Sequence, residues 1–238
     1  MSTKNYSDAC IQYKYLLEKG YPEKASLKLV GDRHRLTRVE RNCLFRGIIV
    51  QAAVEVRKTR IVQPADVEQS ALGIDWYNAL ITVESYLQGT PVFIAEDGVA
   101  RDSGARHGSY RPAPLTGRAM TEIVAAIDAL APARVDVFLD APIAHSGLMA
   151  EDLRHQLSAG TRVVVVSVVP SADYFLKAYD GIVASSDSVI IDSARRIIDL
   201  PRLVLERAFS VTLPRVHELF APAPERSPRL SGSEIPGP

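Results

Sequence analysis

The sequence predicts an α/β fold, a mostly parallel sheet with helices on both faces, preceded by a small basic all-helical module. Three observations predict it. From about residue 70 short apolar runs alternate with helix-length segments, the βαβα rhythm of a parallel sheet. Those runs are apolar on both sides, as strands buried on both faces must be. Residues 1–60 carry 13 Lys/Arg against 6 Asp/Glu and the rest of the chain carries 15 against 22, so a basic segment precedes an acidic body. The expected units are a helical module over 1–62, an α/β domain over 70–220 and a disordered Pro-rich tail over 221–238.

Composition narrows the classes. The 238 residues are 47% apolar and 24% charged, which excludes disorder throughout and a fibrous chain. A formal net charge of zero excludes a uniformly basic coat for nucleic acid, though not a local one. Two cysteines, Cys10 and Cys43, are too few for a disulfide scaffold or a cysteine-based zinc site. The polar start shows no export signal, and the apolar runs at 48–56 and 163–169 fall short of the ~20 residues of a membrane span. The expectation is a cytoplasmic protein.

In the module, Ser7 is placed to cap a first helix that Gly20 stops. Pro22 opens a second helix, ended by Gly31, and Thr37 with Glu40 forms a capping box for a third through Cys43, Leu44 and Ile49. The turn between these two, residues 31–38, carries Arg33, Arg35 and Arg38. It suits phosphate, or equally docking on the acidic body. Both cysteines have apolar helical neighbours and read as core.

In the body, strands are expected at 71–75, 92–95, 135–139, 163–169 and 181–185. Helices are expected at 79–87, 116–130, 146–158, 172–178 and 190–197. Residues 200–220 read as helix interrupted by Pro201 and Pro214. Four strands end in acid: Asp75, Glu96-Asp97, Asp140 and Asp187. In an open parallel sheet, sites form at the carboxyl ends of the strands, so these carboxylates gather on one rim if the strands are parallel. Clustered carboxylates repel, and a hard oxygen-liganded cation, Mg²⁺ or Mn²⁺, removes that repulsion and can activate water against a phosphodiester. The bland alternative is that each Asp caps the helix after it. Asn78 and Ser186 are placed to hold the neighbouring carboxylates. The loop 97–111 adds Arg101, Asp102, Arg106, His107, Tyr110 and Arg111, with arginines for phosphate and a tyrosine to stack on a base. The sequence holds no nucleophile elbow, zinc helix, dinucleotide loop or phosphate loop.

Two resemblances attach to these residues. Ile74-Asp75-Trp76-Tyr77-Asn78 resembles the hydrophobic-Asp-Gly-Tyr-Asn opening of the NYN branch of PIN-like nucleases. Val135 to Asp140 is similar to the middle acidic motif of that branch, and Ala184 to Ser188 to its late Ser-x-Asp motif. The resemblance implies a PIN-like fold and Mg²⁺- or Mn²⁺-dependent RNA hydrolysis. Asp75, Asp140 and Asp187 would act as catalytic metal ligands, with Asp97 or Asp102 assisting. Trp76 stands where the branch has Gly, so crowding of the site is expected. The chain also resembles an uncharacterised two-domain prokaryotic family. Gly20-Tyr21-Pro22 and Leu29 to Arg38 carry its N-terminal domain of unknown function. Its second domain is matched by Asp97-Gly98, Arg101-Asp102, His107 to Arg111 and Ser185 to Ser188.

The expected function is therefore metal-dependent phosphodiester hydrolysis, on RNA or a phosphate-containing small molecule. Two alternatives stand beside it. One is non-catalytic RNA or nucleotide binding on a degenerate nuclease fold. The other is a small-molecule enzyme with a pocket walled by Trp76 and Tyr77.

Overall fold

The computed structural model describes residues 4–104, 110–158 and 162–220. The loop residues Arg106 and His107 and the tail 221–238 lie outside them.

The module contains four helices: α1 (Lys4–Glu18), α2 (Glu23–Arg33), α3 (Arg38–Gly47) and α4 (Gln51–Arg60). Gly20, at φ +77°, follows the end of α1. The Thr37–Glu40 capping box forms as expected. Gly31 does not end α2. It stays helical beneath the Arg41 guanidinium, where a Cβ would lie 2.2 Å from a terminal nitrogen. The apolar run after residue 47 breaks at Ile48–Val50 and restarts as α4.

Five parallel strands form the sheet: β1 (Ala71–Asp75), β4 (Arg134–Asp140), β5 (Val163–Val169), β6 (Ile182–Ala184) and β7 (Arg196–Ile197). Their order is β5-β4-β1-β6-β7. One face carries α5 (Trp76–Leu87), α6 (Thr116–Leu130), α7 (Ser146–Leu157) and α10 (Leu200–Phe209) over Leu72, Ile74, Val135 and Val137. The other carries two short helices, α8 (Ala172–Leu176) and α9 (Ser188–Ser193), over Val169, Val183 and Ile197. The expected helix at 190–197 ends at Ser193, and its last residues become the fifth strand. Pro201 sits in the first turn of α10, where no backbone N–H is needed, so it does not interrupt that helix.

One strand is not where the pattern placed it. The segment after α5 leaves the sheet as β2 (Val92–Ile94) and turns back through Asp97-Gly98 to pair antiparallel with β3 (Ala100–Asp102). Gly98 takes φ +90°, and the Ala95 and Val99 backbones close the turn. Asp-Gly between apolar runs is a hairpin signal, and here it outweighs the βαβ rhythm. The Asp97 and Asp102 carboxylates therefore lie on a separate hairpin and not at the carboxyl ends of the parallel strands.

The module packs on that hairpin. Phe93 and Ala95 join Cys10, Cys43, Leu44 and Ile48 in one core cluster with Val216 and Leu219. Charge follows the same seam. Lys14 pairs with Glu96 at 2.9 Å, Arg46 with Asp102 at 2.8 Å and Arg57 with Asp97 at 3.1 Å. The opposite charges of the two segments are thus partly neutralised against each other. Gly47 marks the closest approach: a Cβ there would stand 2.4 Å from Val216 Cγ2 and 2.8 Å from Phe93 Cε2. Gly47→Val is expected to lower stability by about 1–3 kcal/mol through overpacking, read from the shift in the urea midpoint.

Candidate functional site

The strand order reverses between β1 and β6, so the crevice at their carboxyl ends is where an open parallel sheet places a ligand. Asp140, Asp75 and Asp187 leave the consecutive strands β4, β1 and β6 at this edge. Each also makes the contact of a helix cap or loop anchor. Asp75 caps α5 through the Asn78 amide at 3.4 Å and accepts the Ser185 hydroxyl at 2.9 Å. Asp187 Oδ1 accepts the Val189 and Ile190 amides at 2.8 and 3.3 Å. Asp140 accepts the Ala172 amide at 2.8 Å. Asn78 Oδ1 takes both the amide and the hydroxyl of Ser186, at 2.8 and 2.9 Å. Because a backbone N–H must meet oxygen, that contact fixes the side-chain amide orientation of Asn78. Asp75, Asn78, Ser185 and Ser186 thus form one buried polar network across β1 and β6.

The other expected site residues lie elsewhere. Asp97 is fully buried, and both its oxygens accept the Arg101 guanidinium at 2.6 and 2.7 Å, with Arg57 adding a third contact. Burial alone would raise its pKa. The hydrogen bonds and charge of Arg101, with those of Arg57, overcome that and lower it. Arg101 is therefore a buried counter-ion and not an arm for phosphate. Asp102 accepts Arg46 and the Gly104 amide. Tyr110 is buried with its hydroxyl 3.0 Å from Thr116 Oγ1 and its ring against Tyr77, so it offers no face to a base. Arg111 is exposed, as are Arg33, Arg35 and Arg38. Trp76 belongs to the core between the sheet and its helices. It is fully buried, with its indole N–H on Met149 Sδ at 3.1 Å.

A cleft of about 450 Å³ opens between the module and this edge. Ser186, Asp187 and Ser188 line it from the body, and Phe45, Ile49 and Ala53 from the module. Three arginines also line it, each matched internally: Arg46 to Asp102, Arg101 to Asp97, and Arg57 to Asp97 and Asp192. Asp187 has no basic partner among the described residues, and its Oδ2 accepts no hydrogen bond from them. Ser185 enters the sequence reading only within matched motifs, with no role of its own, and Arg46 and Arg57 do not enter it. Arg57 was detectable, because it continues the apolar stripe of Val50, Ala53 and Val54 at helical spacing, where a charge needs a buried partner.

The donor set is all oxygen, which suits Mg²⁺ or Mn²⁺. Among the described residues, no three His, Cys, Asp or Glu side chains gather closely enough to hold a metal ion. An all-protein cage is therefore absent from them. Of the three strand-end carboxylates, Asp187 lines the cleft, whereas Asp75 is 2% exposed and accepts a hydrogen bond on each oxygen.

Fold and site together define an α/β protein with a polar carboxyl-edge crevice, roofed by a helical module. Residues 64–203, more than half of the chain, match the family described as a domain of unknown function (DUF5616), and the chain belongs to that family. Residues 7–60 match a second family, a protein of unknown function (DUF434). An uncharacterised protein of Methanocaldococcus jannaschii is 27% identical over 190 residues, which cover 79% of this chain and 90% of the relative. No solved structure matches the chain. Among the described residues no helix is long and apolar enough to cross a membrane.

Proposed function

We propose that the chain hydrolyses phosphodiesters, of RNA or of a phosphate-containing small molecule, with Mg²⁺ or Mn²⁺ at the carboxyl edge of its sheet on a PIN-like fold. The observation that carries this reading is the exit of Asp140, Asp75 and Asp187 from three consecutive parallel strands, with Asp187 lining an open cleft. When bound, the cation would supply charge for the phosphate oxygens and acidity for an attacking water. The chain's own residues hold the frame. Ser185 orients Asp75, Asn78 ties the β6 exit to α5, and the first amides of α9 fix Asp187 by one oxygen. The exposed Arg33, Arg35 and Arg38 have no carboxylate partner among the described residues and suit the phosphates of a longer ligand.

The size of the cleft favours a second reading, a small phosphate-containing substrate in place of a polymer. About 450 Å³ is the volume of a small-molecule site.

The experiment is Mn²⁺ titration by calorimetry, with and without a nucleotide, on the native chain and on Asp187→Asn. Half-exposed Asp187 can be replaced without burying a new charge. Saturable binding, with cleavage of an RNA oligomer or a nucleotide diester, is expected in the native chain and lost in a folded variant. Mn²⁺ and ligand binding without turnover would replace hydrolysis by non-catalytic recognition. Cleavage unchanged in Asp187→Asn would remove the edge as the site.

A further inference from the structure

The module has an apolar surface that its own core does not use. Tyr6, Cys10, Tyr13 and Leu17 turn one side of α1 into that core. Ile11 and Tyr15, one turn apart on the other side, are more than 60% exposed, as is Leu29 on α2. Together with Leu16 and Val30 they line a groove of about 350 Å³ between the two helices. Single exposed apolar residues are ordinary, whereas a concave group of them marks an interaction site.

The charge around the groove identifies the occupant. Arg33 lines it, Arg35 and Arg38 follow where α2 ends, and Lys19 lies 5.6 Å over the Tyr15 ring. None of these four has a carboxylate partner among the described residues. The module's Lys14, Arg46 and Arg57 are by contrast committed to the body. Asp32 is taken by Lys28 and Arg41. On the α1 side Asp8, one turn before Ile11, is outnumbered by the four bases. A second copy would present the same positive surround to itself. Tyr15, with Lys19 over its ring, is the one aromatic side chain in the lining; Ile11, Leu16, Leu29 and Val30 are aliphatic, so successive bases find no second ring to stack on. An apolar groove with Arg33 in its lining and Lys19 over its Tyr15 ring complements a helix whose apolar stripe is flanked by acids.

We propose that the α1–α2 groove docks an amphipathic, acid-flanked helix of a partner protein. The groove and the sheet-edge cleft share no lining residue, so Leu29→Glu separates docking here from any phosphate contact that Arg33 and Arg35 make for the edge.

The test uses the full chain and two labelled peptides of ~18 residues with the same Leu/Ala stripe, one flanked by Glu and one by Lys. Fluorescence anisotropy is expected to show saturable binding of the Glu peptide and at least ~10-fold weaker binding of the Lys peptide. Leu29→Glu should abolish it, and Arg33→Glu with Arg35→Glu should invert the preference. All three positions are exposed, so folding should be retained, checked by circular dichroism. Four outcomes would overturn the proposal. They are no saturable binding of the Glu peptide, equal binding of both peptides, self-association that Leu29→Glu disrupts, and single-stranded RNA binding that Leu29→Glu disrupts.

Discussion

Replacing Asp97 with Asn is expected to destabilise the chain by about 3–5 kcal/mol, the usual loss when one member of a buried ion pair is removed. Asp97 sits between two buried guanidinium groups, Arg101 of its own hairpin and Arg57 of α4. Arg57 retains Asp192, but Asp192 is about half exposed and cannot reach into the space Asp97 fills for Arg101. Arg101, 2% exposed, is left charged without its hydrogen-bonded carboxylate. Urea unfolding followed by tryptophan fluorescence reads the loss, since the single Trp76 lies in the sheet core. The pH dependence carries the same sign. The Asp97 pKa is lowered on folding, so its stabilisation is present above the ordinary carboxyl range and disappears as pH falls through the folded value. Exchanging Arg101 and Asp97 together for apolar residues should recover most of the loss, because no unpaired charge then remains. A destabilisation below ~1 kcal/mol in Asp97→Asn would show that water reaches these guanidinium groups.

Asp199 should produce the opposite slope. It caps α10 through the Arg202 amide at 3.1 Å and holds the Ala100 amide of β3 at 2.6 Å. Burial raises its pKa to about 6 against these two hydrogen bonds. A carboxyl whose folded pKa lies above its unfolded value binds its proton more tightly when folded. Its contribution is therefore greatest at low pH and falls as pH rises from about 4 to 6, by roughly 3 kcal/mol at ~1.36 kcal/mol per pH unit. Asp199→Asn keeps a capping oxygen and removes the titration. The difference in unfolding free energy between variant and native chain should move in favour of the variant by that amount across pH 4–6, then stay level. A difference independent of pH would mean that Asp199 ionises in the folded protein as it does in water.

The fold class was legible because its signals are local. The β-branched run Val163–Val169, the capping box at Thr37–Glu40 and the apolar face of Ile123, Val124 and Ile127 each lie within a turn or a strand of sequence. So was half of the candidate site. Asp75, Asn78, Ser186 and Asp187 come together because strand ends in a parallel sheet share an edge, whatever the connections between them. The hairpin was misread on the same kind of evidence. Asp97-Gly98 carried both a strand-end acid and a turn signal, and the turn prevailed.

By itself, then, the sequence determined the helical module, the parallel sheet and the edge where its acids emerge, since periodicity and turn chemistry act over a few residues. The tertiary structure alone decided which charges remain available for a ligand. The arginines and carboxylates at 46, 57, 97, 101 and 102 read as free site chemistry or go unnoticed along the chain. Their pairing spans up to 56 residues and follows from how the module lands on the hairpin. Once buried, each charge requires a partner, and that requirement turns expected ligand-binding groups into the lock between the two units.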